Sequence, residues 1–174
     1  ANETANSGAG WEPIGNPTDS FVGSFDGDNN TISGLVINRK GKGDIGLFGQ
    51  VGSGGKINNT ILTGINITGK NNVGGLVGTS FSDTISHVTV SGDVTGTGGD
   101  RVGGLAGTVI RTEITSSSSG VRVNASDGDR VGGLAGQIST GAFISKSSAN
   151  GTVDGNDRVG GLAGQISTGA FISK

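Results

Sequence analysis

The chain has 174 residues, 37 of them glycine, with no cysteine, a single tryptophan and a formal net charge of −2 from 15% charged residues. That length serves one domain, and the lack of cysteine excludes disulfides and thiolate metal sites. The near-neutral balance excludes a broad field for nucleic acid or anionic membranes, and no run of eighteen apolar residues is present to insert into a bilayer.

Residues 1–10 are small and polar and read as an unstructured N-terminal segment. Residues 11–42 read as a cap and an irregular first rung of a repeat array. Trp11 supplies a large amphipathic ring to cover the first apolar layer. Phe21–Phe25, the turn Asp26–Asn30 and Thr31–Asn38 read as strand, turn, strand. Within the turn, Asp26, Asp28 and Asn30 alternate as DxDxN, a set of oxygens that suits calcium. No glutamate follows at the twelfth loop position, and Asp, Gly and Asn are also the residues a β-turn prefers. The turn is therefore the favoured reading and no metal or other cofactor is expected.

From residue 43 to residue 174 the chain is regular, with an incomplete last rung. Its central phrase is Asp129–Gly136 (DRVGGLAG), which recurs as Asp100–Gly107 and Asp157–Gly164, loosely as Asn71–Gly78, and in short form as Asp44–Gly49. The repeat leucines are Leu47, Leu76, Leu105, Leu134 and Leu162, in steps of 29, 29, 29 and 28 residues. Such a period marks a solenoid, and regular Val, Ile, Leu and Phe spacing argues against disorder despite the glycine content. Three short apolar clusters follow each leucine: one four residues on, one nine or ten on (Ile57, Ile85, Ile114, Phe143 with Ile144, Phe171 with Ile172), and one about eighteen on (Ile65, Val94, Val123, Val153). The clusters are too short for helices. The predicted fold is all-β: a right-handed parallel β-helix of five to six rungs, 28–29 residues and three short strands per rung. Leu47, Leu76, Leu105, Leu134 and Leu162 form its inner ladder, and Phe143 and Phe171 extend an Ile/Phe ladder from Ile85. Gly103-Gly104, Gly132-Gly133 and Gly160-Gly161 are expected to turn corners at positive φ.

These phrases resemble the GLUG-motif family of bacterial surface proteins, together with the segment that commonly precedes it. The carriers are Trp11–Gly15 (WEPIG), Phe21–Leu35, Ile45–Gly49 (IGLFG), and the VGGLxG copies starting at Val73, Val102, Val131 and Val159. The resemblance covers nearly all of the chain from residue 11. It implies a cell-surface or secreted location in bacteria or archaea, in the company of filamentous-haemagglutinin-like adhesins and the stalks of surface proteases. It brings no catalytic residues.

Other candidates are weighed on residue type. Arg101, Arg130 and Arg158, each after an aspartate, stack in register if the rungs do, either as a solvated charge ladder or as a binding stripe for an anionic glycan. His87, the single histidine, is read as a surface residue opposite Val88 and Val90. Thr60, Thr63, Thr68, Thr89, Thr95 and Thr152 drift in position rather than forming the threonine column that ice binding needs. Asp93, Asp127 and Asp154 lie at glycine-rich corners and assemble no carboxylate pair. The expected function is a non-catalytic extracellular structural or adhesive segment, with a cell-surface glycan or protein as ligand. The alternatives are a filament subunit that associates through open solenoid ends, and a carbohydrate-active or ice-binding β-helix.

Overall fold

The computed structural model describes residues 5–174. It is a parallel β-solenoid of five rungs around one apolar core. Phe48–Val51, Val77–Phe81, Ala106–Ile110, Ala135–Ile138 and Ala163–Ile166 form a small sheet, one strand per rung, each paired in parallel with the next. The rest of each rung lies in a 12-stranded sheet, whose strands include Lys56–Gly69, Thr84–Gly96 and Ser118–Gly132. In the Leu105 rung the second and third apolar clusters lie in separate strands, Glu113–Thr115 and Ser118–Gly132, whereas in the Leu47 and Leu76 rungs both share one continuous strand, Lys56–Gly69 and Thr84–Gly96. Along Thr84–Gly96 burial alternates with the pleat: Ile85, Val88, Val90 and Val94 are buried, while His87 and Thr89 are exposed.

Backbone amides tie the leucines rung to rung: Leu76 N donates to Leu105 O at 3.0 Å, Leu105 N to Leu134 O at 2.9 Å and Leu134 N to Leu162 O at 2.8 Å. Leu76, Leu105 and Leu134 are fully buried. Leu105→Ala removes a side chain packed between two like neighbours and is expected to cost about 3 kcal/mol, read as a lowered urea midpoint.

Two column assignments made from spacing shift. Ile65 pairs with Gly92, and it is Ile67 that stacks on Val94, because the register slips between Leu62 and Ile65. Phe143 and Phe171 stack on each other but point outward, in the column of Thr84 and Glu113. The inner ladder is Ile57, Ile85, Ile114, Ile144 and Ile172. Alternation explains it: with Ile144 inside, Phe143 must face out.

The N-terminal strands also differ from the hairpin expected. Ser24–Asp26, Thr31–Ser33 and Val36–Asn38 all pair in parallel with Lys56–Gly69 and none pairs with another. The Asp26–Asn30 turn is a solenoid corner. Of the segment read as unstructured, residues 1–4 lie outside the described residues, whereas Gly10 bridges antiparallel to Ile37. Trp11 packs against the core and its Nε1 donates to Leu47 O at 3.3 Å. Phe21 and Phe25 close over the buried Phe48, with ring centroids 5.0 and 5.5 Å away.

The glycine pairs have a different cause from the one expected. None of Gly103, Gly104, Gly132, Gly133, Gly160 and Gly161 has a positive φ. The left-handed corner lies two residues earlier than the pair, at Asp44, Asn72, Arg101, Arg130 and Arg158. What the pair provides is room. A Cβ on Gly133 would stand 2.1 Å from the carbonyl oxygen of Gly161 on the rung above, and one on Gly103 would stand 2.2 Å from Ala106 O.

Candidate functional surface

The corner column and the strand beside it form a polar surface tied together by side-chain hydrogen bonds between rungs. Asp44, Asn72, Arg101, Arg130 and Arg158 hold φ between 47° and 65°, so their side chains leave the corner on a common side. They meet Thr79, Thr108, Gln137 and Gln165 of the small sheet. Thr79 Oγ1 donates to Asp44 Oδ1 at 2.6 Å and Asn72 Nδ2 to the same oxygen at 3.0 Å. Thr108 Oγ1 donates to Asn72 Oδ1 at 3.0 Å. Arg101 Nε donates to Gln137 Oε1 at 2.8 Å, and Arg130 Nε to Gln165 Oε1 at 2.6 Å. Arg130 also pairs with Asp100 at 2.7 Å, while Arg158 lies 3.6 Å from its own neighbour Asp157. Arg101 and Arg130 are therefore rungs of a hydrogen-bonded ladder, whereas Arg158 meets Asp157 of its own corner. A shallow groove of about 330 Å³ runs beside them, lined by Asn72, Thr79, Arg101, Thr108 and Gln137 among others.

The remaining candidates fall in separate places. At the Asp26 corner, Asp26 Oδ1 accepts from Asp28 N at 2.9 Å and from Asn59 Nδ2 at 3.1 Å, and the Asp28 amide first, then Asn59, lowers its pKa. Asp28 and Asn29 both have positive φ, and Asn30 N closes the turn on Gly27 O at 2.7 Å. The carboxylate is engaged by the turn's own donors. Among the described residues no three His, Cys, Asp or Glu side chains gather as a metal would need. His87 is exposed and occupies a second left-handed column with Asn59, Ser116 and Lys146. Thr60 is buried; Thr95 lies between Thr68 and Asn124, and Thr89 between Ile61 and Ser118, so no threonine column runs along the solenoid.

Sequence reasoning missed a buried polar cluster. Asp83 is only 5% exposed and accepts Ser80 Oγ at 2.7 and 2.9 Å on its two oxygens, and Phe81 N at 3.1 Å. Ser80 Oγ also lies 2.9 Å from Thr112 Oγ1. Burial pushes the Asp83 carboxyl up to about 6, against the lowering effect of Ser80, Thr112 and the Phe81 amide. The available signal was Ser80 itself, a polar residue in a column otherwise occupied by Val51, Val109, Ile138 and Ile166. A second polar interruption is Ser119, buried in the column of Leu62, Val90 and Ala149, whose hydroxyl has no partner. Ser119→Ala removes that desolvated group without altering the backbone and is expected to stabilise the chain by about 1 kcal/mol, read as a raised melting temperature.

Continuous parallel columns around a single apolar core define a repeat solenoid. One of its repeats is similar to a known motif: the family model described as the GLUG motif matches residues 69–95, which take in Val73–Gly78 and the long strand after it. Over 94 residues the chain is 47% identical to halomucin of Haloquadratum walsbyi, a match spanning 52% of this chain and 1% of halomucin. It is 41% identical over 86 residues to a candidate Gly-rich membrane protein of Evansella cellulosilytica, covering 48% of this chain and 10% of that protein. The chain thus spans a small part of these relatives. A crystal structure of a candidate immunoglobulin A1 protease from Bacteroides ovatus superposes with a TM-score of 0.75 at 23% identity, over 93% of this chain and 52% of that one. That likeness is one of fold. No helix among the described residues is long and apolar enough to cross a membrane.

Proposed function

We propose that the chain is a non-catalytic β-solenoid segment of an extracellular or cell-surface protein, giving it length and a rigid display face. The observation that carries this reading is the pairing of the polar side chains: Arg101, Arg130, Asn72, Gln137 and Gln165 bond one another across rungs, which stiffens the rod and engages these groups in structure. Relatives named halomucin and a Gly-rich membrane protein support placement at a cell boundary. The adhesive contact is assigned to the groove beside Arg101, where an anionic glycan would meet the guanidinium edges and the amides of Asn72 and Gln137. Arg101→Ala combined with Arg158→Ala is expected to weaken binding of sulfated or sialylated glycans about tenfold on a glycan array. Unchanged binding removes the adhesive assignment. Turnover of a polysaccharide or of immunoglobulin A1 by the purified chain removes the non-catalytic one.

A further inference from the structure

The outer side of the small sheet continues past the arginine ladder to a second cation. Ser80 and Val109 point into the core, so Phe81 and Ile110 turn outward, and these two pair across adjacent rungs. Both are half-buried. The groove beside Arg101 runs out at this end over Ile110 and Ser139. Directly after Ile110 the chain turns a corner at Arg111, which is exposed. Its guanidinium carbon lies 5.4 Å from the centroid of the Phe81 ring on the rung below.

Three features set Arg111 apart from a charge that only keeps the rod in solution. Its φ is 50°, and the other left-handed positions at this corner are Gly54, Ser82, Gly141 and Gly169, so a long side chain is held where small residues otherwise serve. Its Cγ rests beside Gly141, where a Cβ would stand 3.2 Å from it. Its side chain enters no hydrogen bond or ion pair among the described residues, and Glu113 forms none with it. A guanidinium held over an aromatic ring has little rotamer freedom left to lose and keeps its N–H edges for an oxyanion.

We infer that Arg111, with Phe81 beneath it, is a second anion contact of the groove that begins at Arg101, and that the groove takes an acidic oligosaccharide laid along the strand. The inference rests on the glycan-binding role proposed above and narrows it. Ala106–Ile110 separates the two arginines by about 13 Å of strand, too far for one sulfate or carboxylate to meet both. Arg101 commits Nε to Gln137 and Nη1 to Asn72, which leaves Nη2 for the ligand. Between the arginines Thr108 and Ser139 offer hydroxyls and Ile110 an apolar floor, a mixture that suits the hydroxyl edge and C–H face of a pyranose.

The test follows a fluorescent heparin hexasaccharide by anisotropy as the full chain is added. Saturable binding is expected. A sulfated monosaccharide, able to reach one arginine only, is expected not to compete at about hundredfold excess. Arg111→Asn removes the charge with a residue that accepts a left-handed backbone, and is expected to weaken binding about tenfold without lowering the melting temperature. Arg111→Lys keeps the charge but not the fork and recovers only part of that loss. Arg122→Asn takes an exposed arginine from another face, where it pairs in register with Asp93, and leaves binding unchanged. Parent-like binding by the Arg111→Asn chain, equal weakening by Arg122→Asn, competition by the monosaccharide, or equal binding of a single-stranded oligonucleotide of the same charge overturns the inference. If Arg101→Ala with Arg158→Ala weakens binding while Arg111→Asn does not, this inference falls and the glycan reading stands. If the hexasaccharide does not bind the parent chain, both fall.

Discussion

Gly133→Ala is expected to destabilise the chain by about 3 kcal/mol, lowering its melting temperature by about 6–12 °C, while Gly161→Ala leaves it unchanged. The two glycines occupy the same place in identical eighteen-residue stretches, so neither composition nor local propensity separates them. Both have negative φ, so no relief or penalty of backbone strain enters. What differs is the rung above. At Gly133 a Cβ would stand 2.1 Å from Gly161 O and 2.9 Å from the Ala149 side chain. Backbone cannot yield as a flexible side chain would. The strand must move outward, loosening the Leu134 N to Leu162 O bond beside it. Parallel thermal melts of the two variants decide the matter. If Gly133→Ala melts with the parent, the close stacking of rungs at this corner is wrong.

The same corner shows what the residues could and could not reveal. The 29-residue step of the leucines encodes which rungs lie together, because stacking demands a constant chain length per turn, and the resulting parallel pairing is the observed one. Position within a rung was less legible. A single extra residue between Leu62 and Ile65 moves Ile65 out of the column its count implies, and counting alone does not see where a bulge sits. Phe143 misled because hydrophobicity is a poor guide to facing: the pleat, anchored by Ile144, turns the larger ring outward. The left-handed corners were invisible for another reason. Arginine, serine and lysine occupy several of them, at Arg101, Arg130, Ser116 and Lys146, residue types with no special liking for positive φ, held there by the stacked rungs. The polar ladder could be anticipated as a stack of arginines, but not its partners. Gln137 and Gln165 lie 36 and 35 residues downstream of Arg101 and Arg130, a distance that acquires meaning only once the register is known.

Asp83 is expected to make stability fall as pH rises through the mildly acidic range, against the usual direction for a carboxylate. In the unfolded chain its pKa is the ordinary 3.8, and in the folded chain it is about 6. Below the first value both states hold the proton and Asp83 costs nothing. Between about 4 and 6 the unfolded chain releases the proton while the folded chain keeps it, so unfolding gains with each increment of pH. Above the folded value the whole difference, about 3 kcal/mol, has been lost. The physical source is burial, since Ser80, Thr112 and the Phe81 amide all favour the anion and do not offset it. Asp26 acts in the opposite sense, its lowered pKa adding stability above its unfolded value and losing it on acidification. It stays fixed in the comparison that isolates Asp83. Asp83→Asn keeps an acceptor for Ser80 Oγ and Phe81 N and removes the proton equilibrium. Urea unfolding of parent and variant at pH 4 and pH 7.5 should show their stability difference shifting toward the variant by about 2–3 kcal/mol at the higher pH. A difference independent of pH would mean that Asp83 is ionised as easily in the folded chain as in water, and that the cluster with Ser80 and Thr112 is wetter than its burial implies.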